Sequence, residues 1–241
     1  MAASPPAAST DPRKVASMRG GAAFGWAALA LVALGVLLIL LLHVLPPSNQ
    51  VNPVTRTISE YALGANRWIF DLALFALAVG TVGVLAGLVR AGVARAFGAA
   101  SLLILTWAVC LVLLVVFQKY NYATDNGVGL GGRIHRMATL VGFLSLPVGA
   151  LLVPGGDGMR TRRARRWTRT ASVVALLSFG PLCWAVAQGL LTGVAWWRVF
   201  PLGAVERLMA LTEMAVLAAL GRWAIAGGRL GRADSDAQPV R

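Results

Sequence analysis

The chain has 241 residues, 58% of them hydrophobic and 13% charged, with 22 Lys and Arg against 9 Asp and Glu for a formal net charge of +13; its mean hydropathy is +0.72. A water-soluble domain of this length does not carry so apolar a composition. The apolar residues fall in runs of roughly 20, each enough to cross a ~30 Å hydrocarbon layer, and without the alternation of a β-barrel, so the expected fold is all-α, a polytopic membrane helical bundle. The basic excess suggests nucleic acid only in a soluble protein. Here no aromatic-interleaved basic face accompanies it, and no nucleic-acid partner is expected.

Residues 1–20 are rich in Ala, Ser and Pro and carry Arg13, Lys14 and Arg19, which reads as a disordered arm. The first apolar run, 21–45, is longer than the core of a signal peptide and has no clear small-residue cleavage site, so it reads as an uncleaved helix. Further runs at 68–89, 97–117, 134–153, 170–190 and 204–226 bring the expected number of transmembrane helices to six. The membrane domain is thus 21–226, and 227–241 reads as a disordered tail.

An even number of spans puts both ends on one side. Of the 22 basic residues, 15 flank the side of the termini; the other side has seven: Arg56, Arg67, Lys119, Arg133, Arg136, Arg198 and Arg207. The positive-inside bias then predicts cytoplasmic termini. The densest cluster, "RTRRARRWTR", reads as a loop that anchors this topology, in preference to a dock for anionic lipid headgroups. Cys110 and Cys183 lie in apolar runs and read as small hydrophobes. Gly83 and Gly87 permit close helix approach, and Pro147 and Pro181 are expected to kink their helices.

The chemistry collects on the outer side, which holds Glu60, Asp71, Asp125, Glu206 and Glu213 and both histidines, His43 and His135. Mixed charge of this kind points to mutual pairing, as ions at membrane depth require. Glu213 follows Glu206 by seven residues on nearly the same helix face, about 10 Å deeper. Its alternatives are a wet cavity or a helix–helix hydrogen bond. Asp71 is placed to favour the start of the second helix or to meet Arg67, Arg136 or His135. His43 reads either as an interfacial residue or as part of this cluster. "NGVGLGGRIHR", 126–136, is a flexible turn or an anion seat at a helix start; His135, Thr139 and Gly142 share one face.

The segment "RTISEYALGANRWIFD", 56–71, joins these groups. It is expected to fold over the outer mouth of the bundle, bringing Glu60 and Asp71 towards His135, Arg136 and Glu206. Ile58, Tyr61 and Leu63 would anchor it, Gly64 would permit its turn and Asn66 would start the next helix.

Four motifs carry a resemblance to a known family: the His43 and Pro46 exit from the first helix, "TISEYALGANRWIFD", "GGRIH" and "GAVER". With these the chain resembles the prokaryotic six-helix membrane proteins catalogued as domain of unknown function 998. The resemblance implies a six-helix integral membrane protein of a prokaryotic cell membrane. It singles out His43, Ser59, Gly64, His135, Glu206 and Arg207 as matching positions, and it brings no reaction or catalytic residue with it.

The favoured function is binding of a membrane lipid or small amphiphile in an outward-facing polar pocket lined by Glu60, Asp71, His135, Arg136, Glu206 and Glu213. A proton- or ion-coupled transporter is the alternative, since buried acids exchange protons. An intramembrane hydrolase ranks lower: Ser59 with His135 and an acid, or zinc held by the two histidines and carboxylates, lacks diagnostic spacing. A b-type haem would find at most one axial pair, so no metal or cofactor is expected. A structural accessory subunit completes the alternatives, and the oligomeric state is left open.

Overall fold

The structure is a computed structural model that describes residues 12–120, 129–154, 159–194 and 200–236. Among them seven α-helices follow one another: α1 (Pro12–Val44), α2 (Arg67–Arg90), α3 (Ala99–Val116), α4 (Leu130–Leu151), α5 (Met159–Leu177), α6 (Gly180–Thr192) and α7 (Leu202–Asp236). Two short 3-10 turns, Ser48–Gln50 and Ile58–Leu63, lie between α1 and α2. No strand occurs among the described residues. Six stretches are long and apolar enough to cross a membrane, the fifth being Arg162–Thr192 across α5 and α6. The protein is an all-α, multi-pass membrane bundle.

Large apolar side chains face neighbouring helices or the outside of the bundle. Leu42, Phe70, Leu88, Ile104, Leu146, Leu217 and Trp223 are fully buried in one continuous core. Leu37, Phe75, Val109, Leu190 and Leu211 stand on the outside. Hydrophobicity does not by itself bring such helices together in lipid; close packing at small residues does. A Cβ on Gly35 would come within 2.9 Å of the Ala73 carbonyl oxygen, and one on Gly80 within 3.1 Å of that of Ala28, so α1 and α2 nearly touch backbones. The expected contact at Gly83 is present as well, against Ala28.

The same pairs fix the directions. Gly25 meets Ile225 and Gly221 meets Leu29, so α7 runs antiparallel to α1 and the end of α7 returns to the start of α1. Gly149 sits against Ala100 and Leu103 while Gly142 meets Cys110, which sets α3 and α4 antiparallel. The opposite end of the bundle, formed by the α1–α2 connection and the α3–α4 and α6–α7 ends, is its mouth.

Helix extends beyond the sequence-based bounds. α1 starts at Pro12 and α7 continues to Asp236, so helical backbone enters both segments read as disordered. The basic "RTRRARRWTR" segment is no loop: it is the first part of α5, because Arg and Ala favour helix and neither Gly nor Pro interrupts the run before Gly180. The fifth span breaks instead at Ser178 and Phe179, where Pro181 sits in the first turn of α6 and cannot donate to the preceding helix. Pro147 lies inside α4.

Candidate functional site

The chain leaves α1 at Val44 and must return to α2 across the mouth, exposing backbone that neither helix satisfies. Local chemistry makes the first turn: the Asn52 side-chain oxygen accepts from the Val54 and Thr55 amides at 2.9 and 3.2 Å. The turn is then held by α7. The Ala204 amide donates to the Val54 carbonyl at 3.0 Å, and Gly203 lies so close beneath Pro53 and Arg56 that a Cβ there would come within 2.7 Å of the Pro53 oxygen.

Arg207 grips this strap. Its Nη1 donates to the carbonyls of Pro53 (2.9 Å), Arg56 (2.8 Å) and Gly203 (3.1 Å). Its Nε donates to His43 Nε2 at 2.9 Å, and its Nη2 lies 3.4 Å from the Tyr61 hydroxyl. His43 can accept there because its other nitrogen, Nδ1, donates to the Ile39 carbonyl one turn earlier at 2.8 Å, which fixes the proton on Nδ1. Tyr61 is buried and meets the His43 ring edge-on, centroids 5.4 Å apart. The neighbouring Glu206 takes the opposite role, accepting from the Ile58 amide at 2.9 Å. One acid and one base on successive residues of α7 thus satisfy an amide and two carbonyls of the strap.

Lys119, just beyond α3, closes the other edge. It donates to Glu60 Oε1 at 2.5 Å and to Thr57 Oγ1 at 2.6 Å, and it lies with Arg207 and Glu60 in electrostatic range of Glu206. The strap therefore covers the mouth, and Glu60 and Glu206 do come into one cluster. Its organising cation, however, is Lys119, which sequence reasoning counted among the outer basic residues and did not assign to the site. One signal was available: Lys119 is one of only two lysines in the chain, Lys14 being the other.

The remaining expected residues divide. Asp71 joins Arg67 of its own helix at 3.1 Å, and Arg67 also reaches the Val115 carbonyl at 3.3 Å, so Asp71 ties α2 to the end of α3 through Arg67. His135 is 5% exposed; its Nδ1 donates to the Phe117 carbonyl at 2.8 Å, while Nε2 is buried with no hydrogen-bond partner among the described residues. Arg136 is exposed on α4. Glu213 is 1% exposed, two turns below the rim, with Oε2 unpartnered among the described residues. It belongs to the interior and not to the rim cluster. Asp125 lies outside the described residues.

Two motif expectations change in detail. Gly64 has φ −99 and ψ 174, an extended conformation open to any residue, so the strap does not need its glycine. Asn66 precedes α2 without capping it and instead donates to the Pro46 carbonyl (3.0 Å) and Ser48 Oγ (3.1 Å), stitching the two ends of the connection together. Ser59 Oγ lies 3.2 Å from Thr57 Oγ1 and has no imidazole partner among the described residues, which gives no support to a Ser–His pair. No group of three His, Cys, Asp or Glu that could hold a metal occurs among those residues.

Open space lies on the α3–α4 side. A groove of about 580 Å³ runs between these helices, walled by Leu102, Leu105, Val109, Leu113, Ile134 and Met137, with Arg133 at its mouth end. Beside it a cleft of about 450 Å³ is formed by Phe117, Gln118 and Lys119 against Gly129, Gly131 and Gly132 at the start of α4. Apolar wall and polar head-space thus adjoin at the same pair of helix ends.

No curated protein and no solved structure matches the chain. The family model described as "Protein of unknown function (DUF998)" matches residues 29–223, from within the first span nearly to the end of the last. The chain belongs to this family.

Proposed function

We propose that the protein binds an anionic amphiphile, a membrane lipid or a molecule built like one, in the leaflet at its mouth, with that mouth facing out of a prokaryotic cell. The carrying observation is the α3–α4 groove: an apolar trough that ends at Arg133 and opens beside the polar cleft of Lys119 and the α4 glycines. An acyl chain fits the trough, and a guanidinium at its end suits a phosphate or carboxylate. On the strap side the amides, carbonyls and charges are already engaged with α7 and Lys119. The pocket of this reading is therefore displaced from the six residues expected to line it. Glu60 and Glu206 shape its rim through Lys119, and His135 braces the Phe117 carbonyl at the cleft.

The test is native mass spectrometry of delipidated protein titrated with phosphatidylglycerol or phosphatidylcholine. Retained phosphatidylglycerol is expected to exceed phosphatidylcholine and to fall in Arg133→Gln and in the groove-filling Val109→Trp. Equal retention of both lipids, unchanged in both variants, refutes the reading.

A second reading, ion-coupled transport, draws on Glu213, a carboxyl buried near mid-span without an ion pair among the described residues. It predicts proton entry into protein-containing liposomes, followed with an entrapped pH dye, that Glu213→Gln removes. Entry equal to that of empty liposomes excludes it.

A further inference from the structure

α5 begins with a density of arginine. Arg162, Arg163, Arg166 and Arg169 are exposed, and none has a carboxylate partner among the described side chains. The sequence holds no Asp or Glu from 158 to 205. The helix sorts its residues sharply. Thr168, Ser172 and Ala175 face inward and are buried, with Ser172 Oγ donating to the Thr168 carbonyl at 2.8 Å. The opposite face reads Arg162, Arg166, Arg169, Val173, Leu177, spaced four, three, four and four residues apart, which is one continuous stripe on a helix.

That stripe changes character along its length. Its first three members are exposed cations; Val173 is 46% and Leu177 69% exposed. Trp167, 61% exposed, stands beside the change-over, where an indole suits the boundary between headgroup and hydrocarbon. Trp26 of α1, also exposed, lies near the same level, as the antiparallel contacts of Gly25 with Ile225 and of Ser178 with Thr212 require. A positive-inside anchor needs charge but no such register. Guanidinium groups directly above an open apolar stripe on one helix face match a molecule with an anionic head and a hydrocarbon tail in the same order.

We propose that the outer face of α5 is a seat for an anionic phospholipid of the leaflet on the side of the termini, its headgroup held by Arg162, Arg166 and Arg169 and its acyl chain lying along Val173 and Leu177. This seat is at the opposite end of the bundle from the α3–α4 groove and stands independently of it. Charge complementarity selects the occupant: juxtamembrane cations attract anionic lipid, and guanidinium pairs with phosphate through two parallel hydrogen bonds.

The experiment uses the full-length protein in liposomes doped with a phosphatidylglycerol bearing a photoreactive diazirine near the end of its acyl chain, with cross-linked peptides mapped by mass spectrometry. Adducts are expected on the α5 peptide containing Val173 and Leu177, displaced by unlabelled phosphatidylglycerol and not by phosphatidylcholine. Each Arg→Gln change is expected to weaken labelling about fivefold, and the triple change on the order of a hundredfold. Arg133→Gln leaves this peptide's labelling unchanged, which separates the two sites. Should the triple variant insert wrongly, wild-type protein decides: labelling of α5 is expected to fall as salt rises to about 1 M, where screening is nearly complete. Labelling insensitive to salt, or displaced equally by both lipids, overturns the proposal. So does a second copy on this face, seen as disulfide cross-links between Val173→Cys chains in native membranes with no α5 labelling.

Discussion

Replacing Arg207 by Met keeps much of the side chain's length and removes the grip on the strap. His43 Nε2 then loses its donor, and the carbonyls of Pro53, Arg56 and Gly203 lose theirs. A half-buried bond from a charged donor contributes about 1.5–3 kcal/mol, whereas the carbonyl bonds nearer solvent recover water and count about 0.5 kcal/mol each. The expected loss is about 3–4.5 kcal/mol. For a protein of this size that corresponds to roughly 6–18 °C in Tm. Thermal unfolding in a mild detergent, followed by circular dichroism, measures it. Arg207→Lys is expected to recover less than half, since an ammonium lacks the planar fork that reaches His43 and the carbonyls together. A second readout localises the effect: Thr55→Cys in the strap is expected to react several times faster with an aqueous thiol reagent when Arg207 is replaced by Met. A melting temperature within about 2 °C of wild type, with unchanged thiol reactivity at position 55 of the strap, refutes the latch and with it the assignment of Arg207 as the strap's anchor.

Lys119→Met removes the cation shared by Glu60 and Thr57. It is expected to weaken phosphatidylglycerol retention at least threefold in native mass spectrometry, while Glu60→Gln, which frees Lys119, leaves it equal or higher. Gly149→Leu forces a side chain into the contact with Leu103 and the Ala100 carbonyl, where a Cβ alone would lie 2.9 and 3.0 Å away. Separation of α3 and α4 is expected, read as a loss of folded protein in fluorescence-detected size-exclusion chromatography, and a folded variant of wild-type stability contradicts the packing. Cysteines introduced at Val54 in the strap and Phe97 before α3, both exposed at opposite ends, are expected to react with an impermeant reagent from outside at position 54 only. The reverse pattern inverts the proposed cytoplasmic placement of the termini.

What the sequence disclosed follows the range of each interaction. Span number was legible because the hydrocarbon thickness acts on contiguous residues, and the runs around 68–89 and 204–226 fall within two residues of the spans Arg67–Arg90 and Leu202–Gly227. The Arg67–Asp71 pair was legible as one option because both lie on one helix at a spacing of four. Lys119 was not, because Glu60 lies 59 residues away and nothing local to "FQKYNY" reveals the meeting. The strap's position over the mouth was inferred from balanced charge, yet its actual anchors are backbone groups gripped by Glu206 and Arg207. Backbone acceptors are the same for every residue type and leave no mark in composition. The α3–α4 groove was equally hidden, since Val109 and Met137 face it with side chains no different from those that face lipid elsewhere.

A chain-labelled lipid reads directly whether the α3–α4 groove holds an acyl chain, as proposed. With the diazirine phosphatidylglycerol confined to the leaflet at the mouth, adducts are predicted to concentrate between Leu102 and Leu113 and between Ile134 and Val141, the two walls of the groove. Filling it with Val109→Trp is predicted to abolish that concentration while labelling of the exposed α2 face around Phe75 persists. Adducts spread evenly over every lipid-facing helix, indifferent to the substitution at position 109, would contradict the account.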